Sequence, residues 1–381
     1  MTACICSLLV TIFPIHSTSG SRKYGGFKSS RRIVWAIISR KLNTTIDVVR
    51  FRGVDSLFRS LLPAPSPSNN HCISYDLYFL LQTKIYRIQP STSSPCSNKG
   101  WLIRVFLSSS SKLYLLDLFT NQRLRTMETI NKVLNLMNFR VVELFELYTP
   151  SNLKGEIDFH YFCSIRKVIF SSIEGHCMVF ALYSGKAVIV SNIEENTYTM
   201  LEDDGGETHC FDDMILYKGQ LYVVDKMGTI FWFHALSFKL VQFSPKNLYC
   251  CEENGHIRVN ACENKKKLVE YDGSLYVVDL YINDERYYKW GYYLKDVFVE
   301  VYKLDQEWGK WLKVKDLGDV SFVLSKDSNF ALLAQDYYGF EGNCIYFYFD
   351  HKASCFNLKN LETKVADIFW PCPTLFHPVT N

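Results

Sequence analysis

The chain has 381 residues, enough for two domains or for one long β architecture with a small appendage. With 48% hydrophobic and 21% charged residues, disorder over most of the length is excluded, and 24 Tyr, 27 Phe and 7 Trp argue against a coiled coil or an all-helical bundle. The net charge of +3 is uneven: residues 21–60 hold ten Lys or Arg against Asp47 and Asp55, a local +8 that leaves −5 elsewhere.

In chain order, Ala3 to Ile15 is apolar and about as long as the core of a signal peptide, but no basic residue precedes it. Pro14 and His16 end it short of the ~20 apolar residues a membrane span needs. Residues 1–26 are therefore expected to be a poorly ordered leader, and no membrane partner is expected. The Asn43-Thr44-Thr45 sequon would matter only in a secreted chain. The thirteen cysteines form no paired C-x-x-C set, so neither zinc nor a disulfide framework is indicated. Cys163, Cys177, Cys210 and Cys344 lie among apolar or aromatic neighbours, as reduced buried thiols do, which predicts an intracellular protein of the nucleus or cytoplasm.

Residues 27–62 read as helical. Val34, Ile38 and Leu42 recur at four-residue spacing, and Thr44 followed by Asp47 resembles a capping box, so a second helix is predicted from about Thr45. Along it Phe51, Val54, Phe58, Leu61 and Leu62 keep the helical period until Pro63 stops the run. The basic residues here form a solvated face or a contact for an acidic protein; with no recognised module, no nucleic-acid partner is expected. Residues 63–71, with Pro63, Pro65 and Pro67 among small polar residues, predict a stiff exposed linker.

From residue 72 to 381 the pattern changes to strand-length apolar runs separated by turn residues. Ile130 to Leu147 is the exception, unassignable by periodicity. Tyr217 to Asp225 (YKGQLYVVD) and Tyr271 to Asp279 (YDGSLYVVD) match at seven of nine positions, 54 residues apart. Each predicts a β-hairpin whose turn, Lys218-Gly219 or Asp272-Gly273, exploits glycine's access to positive φ. Dividing roughly 300 residues by about 40–50 per blade predicts six or seven blades. The fold class expected is mainly β: a β-propeller-like C-terminal domain after a small helical segment, with a pair of β-sandwiches as the second reading.

A family resemblance rests on these residues. Ile38-x-x-Lys41-Leu42, then Asp47-x-x-Arg50-Phe51-Arg52-x-Val54 and Arg59, resembles the second half of a plant F-box. LNLMNFRVVEL (Leu134 to Leu144), DDMILYKGQLYVVDKMGTIFWF (Asp212 to Phe233), FKLVQFSP (Phe238 to Pro245), VEVYKLDQEWGKWLKVKDLGD (Val299 to Asp319) and GNCIYF (Gly342 to Phe347) are similar to plant F-box proteins with a C-terminal domain of unknown function 295. The resemblance implies a substrate-receptor subunit of an SCF-type ubiquitin ligase. A Skp adaptor and cullin complex would be met through Ile38, Leu42, Phe51, Val54 and Phe58, a target protein through the propeller, with no cofactor. The sequence departs from the family where an F-box opens: Ser29, Ser30, Arg31 and Arg32 replace a Leu-Pro pair and an acidic residue, Asp55 a common Cys and Phe58 a common Trp. The alternative is therefore a protein-binding propeller without ligase coupling.

No catalytic motif is present: no H-E-x-x-H, G-x-S-x-G, Walker loop or G-x-G-x-x-G after a strand, and a lone His such as His234 is expected to be packed or at the surface. A propeller enzyme would need converging polar side chains at its central channel. Glu202 to Glu207 reads as an acidic hairpin turn, and Lys265-Lys266-Lys267 as a solvated loop. Tyr337, Tyr338 and Phe340 form the densest aromatic cluster in an expected loop and are the candidate target-binding residues, against the plainer reading of ordinary core.

Overall fold

The computed structural model describes residues 35–39, 41–42, 45–54, 56–64, 71–73, 78–90, 99–107, 113–124, 132–133, 139–151, 165–173, 176–183, 187–192, 197–202, 209–245, 265–283, 296–307, 309–349, 351–366 and 377–378. The predicted leader, most of the linker, Thr44 of the capping box and most of the acidic turn lie outside them. The chain divides into two compact units, 1–66 and 67–381.

In the first unit, residues 35–39 are helical, followed by α1 (Thr45–Val54) and α2 (Ser56–Leu61). The single helix expected from Thr45 to Leu62 is thus two, and the Arg52 guanidinium donates to the backbone oxygens of Arg59 (3.0 Å) and Leu62, bracing one helix against the end of the other. Trp35, Phe51 and Phe58 supply the packing: ring centroids lie 4.6 Å apart for Phe51–Phe58 and 4.7 Å for Trp35–Phe58.

The second unit is mainly β, and among the described residues four of its five sheets stand as the blades of a propeller. The first contains β1 (His71–Ile73), β2 (Tyr78–Pro90), β3 (Trp101–Leu107) and β4 (Leu113–Leu116). After the two-residue β5 (Lys132–Val133), it continues with β6 (Phe139–Ser151), β7 (Ile165–Ile173), β8 (His176–Tyr183), β9 (Ala187–Asn192) and β10 (Thr197–Met200). The second is the meander β11 (Phe211–Tyr217), β12 (Gln220–Asp225), β13 (Ile230–His234) and β14 (Lys239–Gln242). The third is β15 (Lys265–Tyr271), β16 (Ser274–Asn283), β17 (Asp296–Asp305) and β18 (Lys310–Val314). The fourth holds β19 (Val320–Leu324), β20 (Asn329–Leu333), β21 (Cys344–Phe349), β22 (Lys352–Asn357) and β23 (Glu362–Val365) in the order β20-β19-β21-β22-β23, and β24 (His377–Pro378) pairs with β5.

Among the described residues four sheets stand as blades, where six or seven blades were expected from length. Nine strands share the first sheet, whose two parts meet through the single pair Tyr148↔Val168. Of the ambiguous segment, residues 132–133 form β5 and residues 139–147 belong to β6, residues 130–131 and 134–138 lying outside the described residues; β6 pairs with β2 along nearly its whole length, with a register shift opposite Ile85 and Tyr86.

The repeat folds as predicted. Tyr217 pairs with Gln220 and Tyr271 with Ser274 across turns in which Lys218 (φ 50°), Gly219 (77°), Asp272 (48°) and Gly273 (64°) are all left-handed, the type I′ pattern that matches strand twist. A Cβ at Gly273 would meet nothing within 4 Å, so only backbone strain opposes it. Gly273→Ala is expected to destabilise by about 1–2 kcal/mol, read as a lowered urea midpoint at unchanged slope. The final Asp of the two repeats serves different ends. Asp225 accepts the backbone N–H groups of Met227 and Thr229 and closes a turn, whereas Asp279 pairs with Lys266 directly across the sheet.

The apolar core lies between sheets. Met178, Phe180 and Leu182 of the first pack on Met214, Phe231 and Phe233 of the second, and Val224 and Ile230 pack on Leu268 and Val277 of the third. Val278 and Val301 pack on Phe322 and Ile345 of the fourth, which returns to Ile85, Leu102 and Phe119 of the first. The ring thus closes through side chains.

Candidate functional site

The candidate residues fall into two surfaces and an axis. Of the five residues expected to meet an adaptor, Phe51 and Phe58 are buried in the aromatic core of the first unit, and Ile38 and Leu42 are half-buried. Val54 is 55% exposed, and beside it in character stands Ile37, 56% exposed, which periodicity had not singled out. Among the described residues of this unit, Ile37 and Val54 are the large aliphatics that stand exposed.

Of the three target-binding candidates, Tyr337 and Phe340 are buried, with ring centroids 6.2 Å apart, and Phe340 lies 4.8 Å from Tyr346. Tyr338 is 37% exposed and stacks on Trp101 at 4.4 Å. The segment is held in place by Gly100, whose N–H donates to the Asp336 oxygen (2.9 Å) and whose oxygen accepts from the Tyr338 N–H (2.9 Å). Only glycine fits there, since a Cβ would stand 2.8 Å from Arg87 Cγ and 2.9 Å from the Ile88 oxygen. The Arg87 guanidinium lies 5.1 Å from the Tyr337 ring centre. Burial, with the nearby Asp336, pushes the Tyr337 hydroxyl pKa up against the opposing pull of Arg87. Beside this segment opens a cavity of about 260 Å³, lined chiefly by Leu102, Leu144, Phe145, Phe330, Leu332 and Tyr337.

The axis is polar. Strands β7, β11, β15 and β20 are the inner edges of their sheet segments, with β11 lying against β7 and β15, and β15 against β20. Asp213 on β11 accepts from Lys167 Nζ (2.8 Å), the Leu268 N–H (2.8 Å) and Asn329 Nδ2 (2.6 Å), and Asp212 accepts the Lys266 N–H (3.0 Å). Adjacent carboxylates thus satisfy the inner edge of the next sheet, where no strand pairs with it. The lysine triplet is no solvated loop: it begins β15, and alternation turns Lys266 fully inward, 3.3 Å from Asp279, leaving Lys267 half-buried.

A second buried polar group clasps the first and last sheets. The Arg104 guanidinium, fully buried on β3, makes a two-pronged pair with Asp327 (2.9 and 2.8 Å). Thr149 Oγ1 and Asn121 Nδ2 also donate to Asp327 (2.8 and 2.7 Å), and Thr83 accepts from Arg104 (2.8 Å). Burial alone would raise the Asp327 pKa, but the Arg104 charge and these hydrogen bonds outweigh it and hold the carboxyl at about 2.

His234 Nδ1 lies 2.9 Å from Ser237 Oγ and accepts the Ser237 N–H (3.3 Å), an exposed contact that closes the turn between β13 and β14. Among the described residues no group of three or more His, Cys, Asp or Glu side chains could hold a metal ion, and no helix is long and apolar enough to cross a membrane. Cys344 and Cys355 are buried free thiols, and Cys210 is a partly buried one.

The fold and its polar axis define a β-propeller of the plant type anticipated from the sequence. Residues 76–366 match the family model described as KIB1-4 beta-propeller, and the chain belongs to that family. It is similar to F-box protein At2g26160 of Arabidopsis thaliana, 28% identical over 338 residues that cover 85% of this chain and 95% of the relative. F-box protein At4g35733 of the same plant is 27% identical, covering 90% and 94%, and F-box protein SKIP23 is 25% identical, covering 88% and 92%.

Proposed function

We propose that the chain is a substrate-receptor subunit of an SCF-type ubiquitin ligase: its helical unit docks a Skp adaptor, its propeller holds a target protein, and the chain performs no chemistry itself. The observation that carries this reading is a separate helical unit with an aromatic core and exposed Ile37 and Val54, ahead of a propeller whose relatives are named F-box proteins. Immunoprecipitation of the tagged full chain from plant cells should recover a Skp adaptor and a cullin, and recovery of neither would contradict the ligase role. A second reading, a propeller that binds its target without ligase coupling, is favoured by the basic Ser29 to Arg32 stretch where the family has its Leu-Pro opening. It predicts target capture with no adaptor.

On the target side the exposed face belongs to Tyr338 stacked on Trp101. Tyr338→Ala should weaken capture of the target at an unchanged melting temperature, whereas Tyr337→Ala and Phe340→Ala should cost about 3–5 kcal/mol of stability, as buried aromatics do. Loss of stability in Tyr338→Ala with no effect on capture would remove this residue from the binding surface.

A further inference from the structure

We infer that the axis of the propeller, at the end where its inner strands begin, binds a small oxyanion that retains a hydroxyl, of which hydrogen phosphate is the simplest. Topology makes the site. The third residues of three successive inner strands are Lys167 on β7, Asp213 on β11 and Lys267 on β15, and β20 contributes its first residue, Asn329. Lys167 and Asn329 both bond Asp213, Asn329 Nδ2 also donates to the Leu268 oxygen (3.2 Å) next along the strand from Lys267, and Lys267 feels the charges of Asp213, Lys167, Lys265 and Asp212.

The hydrogen bonds show what is already spoken for. Asp213 takes Lys167 on one oxygen and Asn329 and the Leu268 N–H on the other, so its acceptor capacity is largely used. Among the described residues the Lys267 ammonium has no carboxylate at ion-pair distance and no hydrogen bond, and Asn329 Oδ1 is buried without a donor. Of the groups that act on one another here, Lys167, Lys265 and Lys267 against Asp212 and Asp213 leave one positive charge over. Burial holds the Lys267 ammonium below the ordinary lysine pKa, with Asp213 pulling it up and Lys167 pushing it further down.

A half-buried cation facing a second cation, next to a buried acceptor with no donor, is costly by itself. An oxyanion would accept from the Lys267 ammonium and from the protons Lys167 does not give to Asp213, while its hydroxyl donates to Asn329 Oδ1. That last contact sets the specificity: sulfate carries the charge but has no proton to give, and leaves Oδ1 unpaired. The hydroxyl can belong to inorganic phosphate or to a polyol phosphate.

The test is titration of the full chain, followed calorimetrically and by melting temperature, with inorganic phosphate, glycerol 3-phosphate and sulfate at fixed ionic strength and pH 7. Saturable one-to-one binding of either phosphate, at least about tenfold tighter than sulfate, is expected. The tighter of the two phosphates identifies the source. Lys267→Met should abolish the response and Lys267→Arg should keep most of it. Absence of a saturable phosphate response, equal affinity for sulfate, or an undiminished response in a folded Lys267→Met chain would each overturn the site. The anion comparison needs no variant, so it decides even if Lys267→Met does not fold.

Discussion

Asp327→Ala is expected to lower the stability of the propeller by about 3–5 kcal/mol, because it leaves the Arg104 guanidinium buried without its counter-charge between the first and last sheets. The loss would be a large share of the roughly 5–15 kcal/mol that holds a domain folded. Arg104→Met combined with Asp327→Leu should recover much of it, since replacing both partners leaves no orphaned charge. The same pair predicts acid lability with a definite sign. The folded carboxyl titrates at about 2, below the ordinary Asp value of about 3.9, so the contribution is fully present above about pH 4 and is lost as pH falls toward 2. It amounts to about 2–3 kcal/mol. Urea midpoints of the wild type at pH 7 and pH 3, compared with those of the double variant, isolate it; a double variant equally acid-sensitive would show that other carboxylates carry the effect.

The second large effect belongs to the helical unit. Truncating a buried Phe typically costs about 3–5 kcal/mol, and a core made chiefly of Trp35, Phe51, Phe58 and Ile46 supplies about that much in total. Phe58→Ala is therefore expected to unfold the unit outright and, with it, to abolish adaptor capture. Limited proteolysis should cleave within residues 45–61 at protease levels that leave the wild type intact. The melting transition of the propeller serves as the internal reference and should not move. Wild-type resistance in the variant would mean that the three rings carry less of the packing than their contacts indicate.

What could be read from the sequence was local, and what could not was held together across the chain. The Lys218-Gly219 and Asp272-Gly273 turns were legible because a left-handed pair at a hairpin tip is a demand on two adjacent residues. The strand runs were legible for the same reason, and Met178 to Leu182, Ile230 to Phe233, Phe298 to Tyr302 and Ile345 to Phe349 all lie within strands. The axis was not, since Asp213 meets Lys167, Leu268 and Asn329 at separations of 46 to 116 residues, and Arg104 meets Asp327 at 223. A signal did exist: Arg104 stands inside the apolar run WLIRVFL, and a charge flanked on both sides by buried-strand residues needs a partner. The lysine triplet misled because consecutive charges suggest solvent, whereas strand alternation sends Lys266 inward to its cross-strand Asp279. Tyr337, Tyr338 and Phe340 looked alike as a cluster. Only the bridge from Gly100 to the segment separates the two buried rings from the exposed one.

Calorimetric titration of the purified full chain with a purified Skp adaptor addresses the proposed role most directly. The wild type is expected to bind saturably, and the double variant Ile37→Asp, Val54→Asp to bind about 100-fold more weakly with both units still folded, because it places charge at the two exposed aliphatic positions and leaves the aromatic core intact. No saturable binding by the wild type, or equal affinity in the double variant, would contradict adaptor docking through these residues.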